Sequence, residues 1–268
     1  MKIIDCFIFY NEFDLLNYRF EILNEYVDFF IIVESTYTFT GKEKSLIYDE
    51  NKFRFEKYQD KIIHIIVNDL PFQYPNINFS KNEQWQNEYF QRNAISRGIS
   101  ETILSNNDII LISDVDEIPN PTILSQIKKN ELDIEIYSLE QDFYYYNLNT
   151  QIANKWYYSK ILTYKYYIDS NKTCNELRLE SYSYIKNGGW HLSYFGDEYF
   201  IQNKIQTFSH QELNTDIFTN IENIKKNIVS SSDLYNRYND IIINKISIKE
   251  NHNLPPNYLA YLNKFFTY

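Results

Sequence analysis

The sequence predicts an α/β fold in which helices flank a mostly parallel, doubly wound central sheet. Strand and helix signals alternate four times within the first half of the chain, as is typical of such sheets. The run Ile109 to Ile112 is continuously apolar, which suits a strand covered on both faces. No internal repeat or low-complexity linker divides the chain. We therefore expect one domain over residues 1–268, with ligands bound beyond the carboxyl ends of the strands.

The first half of the chain contains four apolar runs that we interpret as strands. They lie at residues 3–10, 29–33, 62–67 and 108–113. A stripe at helical spacing over residues 15–26, with acids in its first turn, predicts the first helix. Further helices are predicted at residues 51–58 and 83–99, and polar loops at residues 36–44 and 68–80.

The second half has weaker strand–helix alternation. Asn120 and Pro121 are a good N-cap and first helical residue, so a short helix is expected to about residue 129. Residues 133–168 resemble two long, tyrosine-rich antiparallel strands, and residues 197–244 look largely helical. We therefore divide the domain at residues 119 and 215, with a helical C-terminal extension over residues 216–268.

Composition excludes several classes of protein. The formal net charge of −10 argues against a nucleic-acid partner, although a metal ion can still screen a diphosphate locally. Two distant cysteines do not make a disulfide framework, which favours a reducing compartment. The apolar runs are too short for a transmembrane segment, and no signal peptide is visible. The absence of G-x-G-x-x-G after the first strand argues against a dinucleotide cofactor.

Acidic side chains follow the most apolar strand directly. In an extended segment, residues two apart project to the same side, so Asp114 and Asp116 are expected to point together, with Val115 in the core. Paired carboxylates suit Mg²⁺ or Mn²⁺, whose remaining ligands come from substrate phosphates and water. The pair therefore predicts a cation that holds a nucleoside diphosphate-sugar. The alternative interpretation is a solvated turn, because a lone D-x-D recurs by chance in acidic chains.

A second polar cluster spans residues 188–198. Gly188 and Gly189 are expected to let the backbone approach a ligand closely. His191 is a candidate metal ligand or diphosphate donor, and Asp197 and Glu198 are candidates for the base that takes the acceptor proton. The alternatives are a structural histidine and a helix N-terminus, where acidic residues favour the dipole.

Four further residues are candidate contacts to the nucleotide-sugar. Arg92 and Lys204 suit the diphosphate, with arginine favoured for bidentate contacts. Glu34 ends the second strand and could bond the ribose or the base, and His210 lies in a third polar cluster at residues 208–212. Judged singly, each is better explained as a surface residue.

Taken together, these residues resemble glycosyltransferase family 17. The matching motifs are Asp5-Cys6-Phe7, Phe9-Tyr10-Asn11-Glu12, Glu21-Ile22-Leu23, Val33-Glu34-Ser35, Thr40-Gly41-Lys42, Gln91-Arg92-Asn93, Ser113 to Pro119, Gly189-Trp190-His191 and Phe208-Ser209-His210. They occur in order along the chain and are specific as a set. The residues after 215 carry no such motif.

The resemblance implies a GT-A-like, Rossmann-type fold, a UDP-N-acetylglucosamine donor, dependence on Mn²⁺ or Mg²⁺, and inversion of the anomeric centre. Residues 1–119 would bind the nucleotide-sugar, and residues 120–215 would hold the acceptor and the catalytic groups. By position, Asp114 and Asp116 become metal and nucleotide ligands, and His191 a donor-site or metal contact. Asn11, in one of the matching motifs, is expected at the nucleotide-sugar. The resemblance does not identify the base.

Animal members of the family are Golgi proteins with an N-terminal anchor, whereas this chain starts almost at the catalytic domain. We therefore expect a bacterial or viral member that acts in the cytoplasm. Its acceptor would be a lipid-linked or surface polysaccharide precursor, or a viral glycoprotein, rather than an N-glycan. Two other functions stay open: a nucleotidyltransferase acting on a sugar phosphate, and a non-catalytic carbohydrate-binding protein, which the tyrosine-rich middle suggests.

Overall fold

A computed structural model describes residues 1–237 and 240–267, and the strands among these residues form one ten-stranded mixed sheet. The strands are β1 (Ile3–Phe9), β2 (Phe29–Ser35), β3 (Ile62–Val67), β4 (Ile109–Asp114), β5 (Glu117–Pro119), β6 (Ile136–Tyr145), β7 (Thr150–Trp156), β8 (Lys160–Thr163), β9 (Tyr184–Ser193) and β10 (Ile243–Lys245). The four strands predicted in the first half are thus all present.

The sheet has a parallel block and an antiparallel block. Strands β3, β2, β1 and β4 lie side by side and parallel, in that order. The sheet continues through β8, β6, β7 and β10, each antiparallel to its neighbour in this order, while β9 runs parallel to β6 and antiparallel to β5. The predicted α/β class is confirmed, and the parallel block lies in the half of the chain where strands and helices alternate.

Helices cover both faces of the parallel block. The α-helices among the described residues are α1 (Phe13–Leu23), α2 (Ile47–Asn51), α3 (Glu83–Asn93), α4 (Ile95–Ser100), α5 (Pro121–Lys128), α6 (Tyr164–Ser170), α7 (Cys174–Leu179), α8 (Glu198–Thr207), α9 (Ile221–Ser230) and α10 (Tyr258–Tyr261). Short 3-10 segments lie at Lys52–Lys61, Phe79–Lys81 and Gln211–Leu213. In the described part of the chain, no helix is both long enough and apolar enough to cross a membrane.

Strand β1 contributes to two hydrophobic cores because its side chains alternate between the faces of the sheet. Ile3 and Phe7 belong to the core that includes α1, whereas Ile4 and Cys6 belong to the core that includes α4 and α7. A strand buried on both faces needs a continuous apolar run, which is why such runs predicted this block correctly.

Three predicted elements differ from the structure. The helix expected at residues 83–99 is divided at Ala94 into α3 and α4. The stretch 133–168 holds three strands and the start of α6 rather than two long strands. The largely helical region expected at residues 197–244 contains α8 and α9 separated by irregular chain. Thr215 and Asn220 there accept hydrogen bonds from nearby backbone N–H groups, and such side-chain bonds compete with a continuous helix.

The C-terminal segment packs against the rest of the fold, although its predicted helical character is largely wrong. Only α9 and α10 are α-helices among its described residues; residues 238, 239 and 268 lie outside them. The indole N–H of Trp190 donates to the carbonyl of Asn253 at 2.7 Å, and the Tyr18 hydroxyl donates to that of Pro256 at 2.7 Å. The side chains of Leu262 and Phe265 enter the main core.

One fully buried ion pair joins β1 to α1. Asp5 and Arg19 are both 0% exposed, and the Arg19 guanidinium donates to the two carboxylate oxygens at 2.7 and 2.5 Å. Arg19 can occupy a buried position on α1 because the carboxylate of Asp5, on β1, neutralises its charge.

The same guanidinium holds the chain that follows β4. It donates to the carbonyl oxygens of Asp114 at 3.0 Å, Val115 at 3.3 Å and Glu117 at 2.9 Å. It also donates to the Ser113 hydroxyl at 2.6 Å. A guanidinium has five N–H donors in a fixed planar arrangement, so this single side chain satisfies several carbonyls that a turn would otherwise leave buried and unpaired.

We expect Arg19→Met to lower the free energy of unfolding by about 3–5 kcal/mol, because it leaves the Asp5 carboxylate buried without its partner. Arg19→Lys should lie between this variant and the wild type, since lysine keeps the charge but not the planar set of donors. Urea unfolding at neutral pH measures both. Arg97→Lys is the matched control, because Arg97 forms an exposed ion pair with Asp69. A loss for Arg19→Lys no larger than for this control would contradict the assigned role.

Candidate active site

A large cavity opens where β1 and β4 end. Its volume is about 780 Å³, within the range typical of small-molecule sites. Tyr10 and Glu12, which follow β1, line it together with the segment from Asp114 to Asp116, which follows β4. This is the carboxyl edge of the parallel block, where open α/β sheets bind their ligands.

Asp114 and Asp116 both line the cavity, as the sequence predicts, but the segment is not extended. β4 ends at Asp114, Val115 and Asp116 form a turn, and β5 starts at Glu117. The turn closes because the Glu117 carboxylate accepts the backbone N–H of Asp114 at 3.0 Å, while Arg19 binds the carbonyls from the other side. The two aspartates consequently meet different partners.

Asp114 faces two arginines. Arg178 approaches it at 2.8 Å and Arg92 at 3.1 Å, and the aspartate side chain is 26% exposed to the cavity. Arg92 also pairs with Glu88 at 2.8 Å, one helical turn earlier on α3. Both arginines therefore have a second carboxylate partner, since Arg178 also binds Glu117.

Asp116 faces a lysine and a histidine. The Lys204 ammonium lies 2.9 Å from one carboxylate oxygen, and Nε2 of His191 lies 3.6 Å from the other. Burial acts to raise the pKa of Asp116, but Lys204 and His191 outweigh it and hold that pKa well below its ordinary value. Burial likewise acts to lower the pKa of Lys204, and Asp116 and Glu12 more than offset it. Asp116 and Lys204 are therefore a charged pair.

His191 is held between aromatic rings. The Phe143 ring stacks on it at 4.6 Å with 8° between the planes, and the Trp156 ring lies 4.3 Å away. Its Nδ1 atom is buried and has no hydrogen-bond partner among the described residues. The packing fixes the imidazole plane, so that Nε2 is the nitrogen directed at Asp116.

Glu117 is the buried centre of the network below the cavity. Its carboxylate accepts hydrogen bonds from Trp156 at 2.6 Å, from Ser159 at 2.8 Å and from both terminal nitrogens of Arg178 at 2.6 Å. Burial acts to raise the pKa of Glu117, yet Arg178 and the other donors lower it to about 2. The sequence marks Glu117 only as part of the acidic segment.

The charges around the two aspartates leave a negative balance. Five carboxylates face three permanent cations, a formal charge of −2 with His191 neutral: Glu12, Glu88, Asp114, Asp116 and Glu117 against Arg92, Arg178 and Lys204. Within residues 1–237 and 240–267, no group of three or more His, Cys, Asp or Glu side chains is arranged to hold a metal ion. Asp114 and Asp116 could supply carboxylate oxygens to a divalent cation, whose remaining ligands would have to come from elsewhere.

Six of the predicted site residues line the cavity. They are Arg92, Asp114, Asp116, His191, Lys204 and His210. His210 lies at the rim, where its ring meets the edge of Trp85 at 4.5 Å and bonds Glu212 at 2.6 Å. Asn11 is not on the wall of the cavity; its side-chain amide donates to Asn203 at 3.4 Å.

Glu34 does not face the cavity, and its expected contact with ribose or base is wrong. It is fully buried, and its oxygens accept the backbone N–H of Tyr48 at 2.9 Å and meet Nε2 of His64 at 3.0 Å. A carboxylate that satisfies buried donors in this way is a structural group. The same carboxylate is the partner of His64, for which the sequence predicts none.

Asp197 and Glu198 also lie outside the cavity wall. Asp197 is exposed and caps α8, because its side chain accepts the backbone N–H of Phe200 at 2.8 Å, and Glu198 is the first residue of that helix. The structure therefore favours the helix-terminus interpretation of these two acids over the catalytic one.

The two glycines of β9 approach protein backbone rather than a ligand. A Cβ atom on Gly189, where φ is +144°, would lie 2.0 Å from the carbonyl oxygen of Ile118. One on Gly188 would lie 2.7 Å from the Leu139 side chain. The glycines allow β9 to pack tightly between β5 and β6, which places His191 beside the turn.

The structure adds site residues that the sequence leaves without a role. Glu12 follows β1 at the same sheet edge as Asp114, so the strand-end rule could have found it. Glu88 precedes Arg92 by four residues on α3, a spacing that indicates a shared helix face. Arg178 carries no such signal, since its contact with Asp114 spans 64 residues of chain.

Glu117→Gln should lower the free energy of unfolding by about 3–5 kcal/mol at pH 7, because it removes one partner of a buried ion pair. The folded-state pKa of Glu117 is about 2, below the ordinary 4.5, so its contribution is complete above pH 4.5 and is lost as the pH falls towards 2. Urea unfolding of both proteins at several pH values should therefore show the difference between them shrinking below pH 4.5. A difference that stays constant across this range would contradict the assignment.

Comparison with known proteins identifies a family whose model matches most of the chain. The model of the family described as glycosyltransferase family 17 matches residues 1–257, well beyond the last motif at His210. The chain is 29% identical to the beta-1,4-mannosyl-glycoprotein 4-beta-N-acetylglucosaminyltransferases of Rattus norvegicus and Homo sapiens, over 122 residues. It is 28% identical to the enzyme of that name from Mus musculus, also over 122 residues.

These pairwise matches cover 44% of this chain but only 22% of each relative, so the chain spans less than a quarter of the curated relatives it matches. The family model, in contrast, covers almost all of the 268 residues. It includes every residue that lines the cavity. The chain belongs to glycosyltransferase family 17.

Proposed function

We propose that this chain transfers N-acetylglucosamine from UDP-N-acetylglucosamine to a hydroxyl group of a glycan, with a divalent cation and with inversion of the anomeric centre. The observation that carries the proposal is the acidic turn Asp114 to Asp116 on the wall of a large cavity, in a chain of glycosyltransferase family 17. The names of the relatives support N-acetylglucosamine as the sugar. The parallel block followed by an antiparallel block supports a GT-A-like architecture.

Asp114 and Asp116 are the residues that would hold Mn²⁺ or Mg²⁺, with Nε2 of His191 beside them. The carboxylate oxygens of Asp114 and Asp116 on the cavity wall fit such a cation. When bound, it supplies positive charge that stabilises the diphosphate as a leaving group. The diphosphate oxygens and water would complete its coordination.

Three permanent cations of the protein would contact the diphosphate. Arg92, Arg178 and Lys204 line the cavity on either side of the two aspartates. Each is now paired with a carboxylate, so the cations are already desolvated and oriented before the nucleotide arrives. Preorganised donors of this kind cost little reorganisation when negative charge develops on the departing UDP.

The reaction is a single in-line displacement. The acceptor oxygen forms a bond to the anomeric carbon while the bond from that carbon to UDP breaks, and a carboxylate takes the hydroxyl proton. Of the acids on the cavity wall, Glu12 and Glu212 are the two that neither pair with an arginine within the described residues nor belong to the pair that would hold the cation. Burial raises the pKa of Glu12, a change that favours proton acceptance near neutral pH. We therefore assign the base to this pair in preference to Asp197 and Glu198.

The antiparallel block would bind the acceptor. It contributes aromatic side chains to the cavity wall, namely Phe143, Tyr145, Trp156, Tyr158 and Tyr194. Such rings pack on the apolar faces of sugars, and their polar atoms bond hydroxyl groups. Residues 1–119 would then bind the nucleotide and residues 120–215 the acceptor. The acceptor glycan itself and the cytoplasmic location stay predictions.

A screen of UDP-sugars for slow donor hydrolysis with Mn²⁺ tests the proposal without an acceptor. We expect UDP to be released fastest from UDP-N-acetylglucosamine, because the names of the relatives support N-acetylglucosamine as the sugar. Asp116→Asn should reduce the rate by at least about tenfold, as expected for a metal ligand. Asp216→Asn, the same change at an exposed position outside the cavity, should not.

Release of pyrophosphate instead of UDP would indicate a nucleotidyltransferase. Glycan binding that survives both chelation and Asp116→Asn, with no turnover of any UDP-sugar, would indicate a carbohydrate-binding protein. Either result would overturn the proposed reaction.

His191→Phe separates the chemical role of the imidazole from its packing. Phenylalanine preserves the contacts with Phe143 and Trp156 but removes both ring nitrogens. We expect the melting temperature to change little and UDP release to fall by about 10- to 100-fold. His191→Ala is the comparison, because it removes the packing as well and should also lower the melting temperature. An unchanged rate for His191→Phe would return His191 to a structural role.

A further inference from the structure

The side chain of Lys204 crosses the cavity wall from α8 to the acidic turn. Its ammonium group lies 2.9 Å from Asp116, 4.0 Å from Glu12 and 5.3 Å from the centre of the Tyr194 ring. It is 19% exposed, and thus mostly enclosed by these groups. The ammonium group therefore neutralises Asp116, one of the two aspartates that would hold the metal cation.

Glu12 is fixed in position by the backbone. One of its oxygens accepts the N–H groups of Tyr10 at 3.2 Å and Asn11 at 3.0 Å, while the other faces Lys204. Asp116 is fixed by the turn that Arg19 and Glu117 close. The two carboxylates are therefore a rigid pair from different strand ends, and the ammonium between them is held by a flexible stem.

We infer that Lys204 is the resident counter-ion of Asp116 and Glu12, and that it keeps a free divalent cation out until the diphosphate of a nucleotide takes over its ammonium group. The inference rests on the proposed function and deepens it. Metal and nucleotide would then bind as a unit, each raising the affinity for the other.

Charge explains why the cation alone is disfavoured. Asp116 already has a close positive partner, so an entering metal ion would compete with Lys204 for one carboxylate and meet like-charge repulsion. A diphosphate would remove this competition, because some of its oxygens would accept the Lys204 ammonium group while others would bind the metal ion. Without the lysine charge, the local formal charge falls from −2 to −3, and both carboxylates are open to a cation.

Lys204 is better suited to this exchange than the two arginines. Arg92 and Arg178 each bind a second acid, Glu88 and Glu117, and are almost fully buried. Moving either arginine would leave a buried carboxylate without a partner. Lys204 has one close contact and some exposure to the cavity, so it can turn towards a ligand at lower cost.

The test measures the binding of Mn²⁺ itself, by the loss of the free-ion electron paramagnetic resonance signal, with and without UDP. We expect the wild type to bind Mn²⁺ weakly alone and at least about tenfold more tightly with UDP, within the usual range of coupling between ligands. Lys204→Met should bind Mn²⁺ alone at least about tenfold more tightly than the wild type, with a smaller further gain from UDP. Lys204→Arg keeps the charge and should still exclude the free ion.

Two controls locate the effect. Lys165→Met removes an exposed lysine paired with Asp169 and should bind Mn²⁺ as the wild type does. Adding Asp116→Asn to Lys204→Met should abolish the gained binding, which identifies the site. Should Lys204→Met not fold, Lys204→Gln replaces it, since its neutral amide can still bond Asp116.

The outcomes separate this inference from the proposed function. If UDP strengthens Mn²⁺ binding in the wild type but the neutral variants of Lys204 bind free Mn²⁺ no better, the counter-ion role is overturned and the transferase proposal stands. If the wild type shows neither coupled binding of Mn²⁺ and UDP nor release of UDP from any UDP-sugar, the proposed function is overturned as well.

Discussion

The buried guanidinium of Arg19 is the interaction on which the candidate site depends. It balances Asp5 within the core and binds the carbonyls of the turn that carries Asp114 and Asp116. The turn has little freedom as a result, because its backbone acceptors already have their donors. The side chain of Arg19 thus joins α1, β1 and the acidic turn, so a substitution that moves Arg19 in the core would also move the turn.

The two aspartates of the acidic turn lie in different environments. Asp114 lies between two arginines that each have a second acid, and forms a rigid part of a buried network. Asp116 has a flexible lysine and a histidine clamped between aromatic rings. The two arginines hold the Asp114 carboxylate in a fixed position. The flexible Lys204, in contrast, could leave Asp116 when a ligand binds. Under the proposed function, the site must hold a highly charged nucleotide and later release it, and it would benefit from both environments.

Much of the parallel block could be predicted, because buried parallel strands need apolar runs that are visible in one dimension. The stretch from Ile62 to Val67 was predicted to the residue. The region from residue 197 to residue 244 could not be predicted as well, since α8 and α9 are separated by irregular chain in which polar side chains such as Thr215 bond the backbone. Glu34 and Asp197 show a similar ambiguity of the sequence: a carboxylate at a strand or helix end can bind a ligand or satisfy local N–H groups, and its spacing is the same in both cases.

The sequence by itself determined the α/β class, the edge of the sheet that carries the site, the acidic pair after β4 and the family, because strand periodicity and short motifs are local properties. The tertiary structure decided which charges those acids meet. Asp116 pairs with a lysine 88 residues away, Asp114 with an arginine 64 residues away, and the backbone of the turn with an arginine 95 residues away. Contacts of this range depend on how helices pack on the sheet, and no pattern along the chain records that packing.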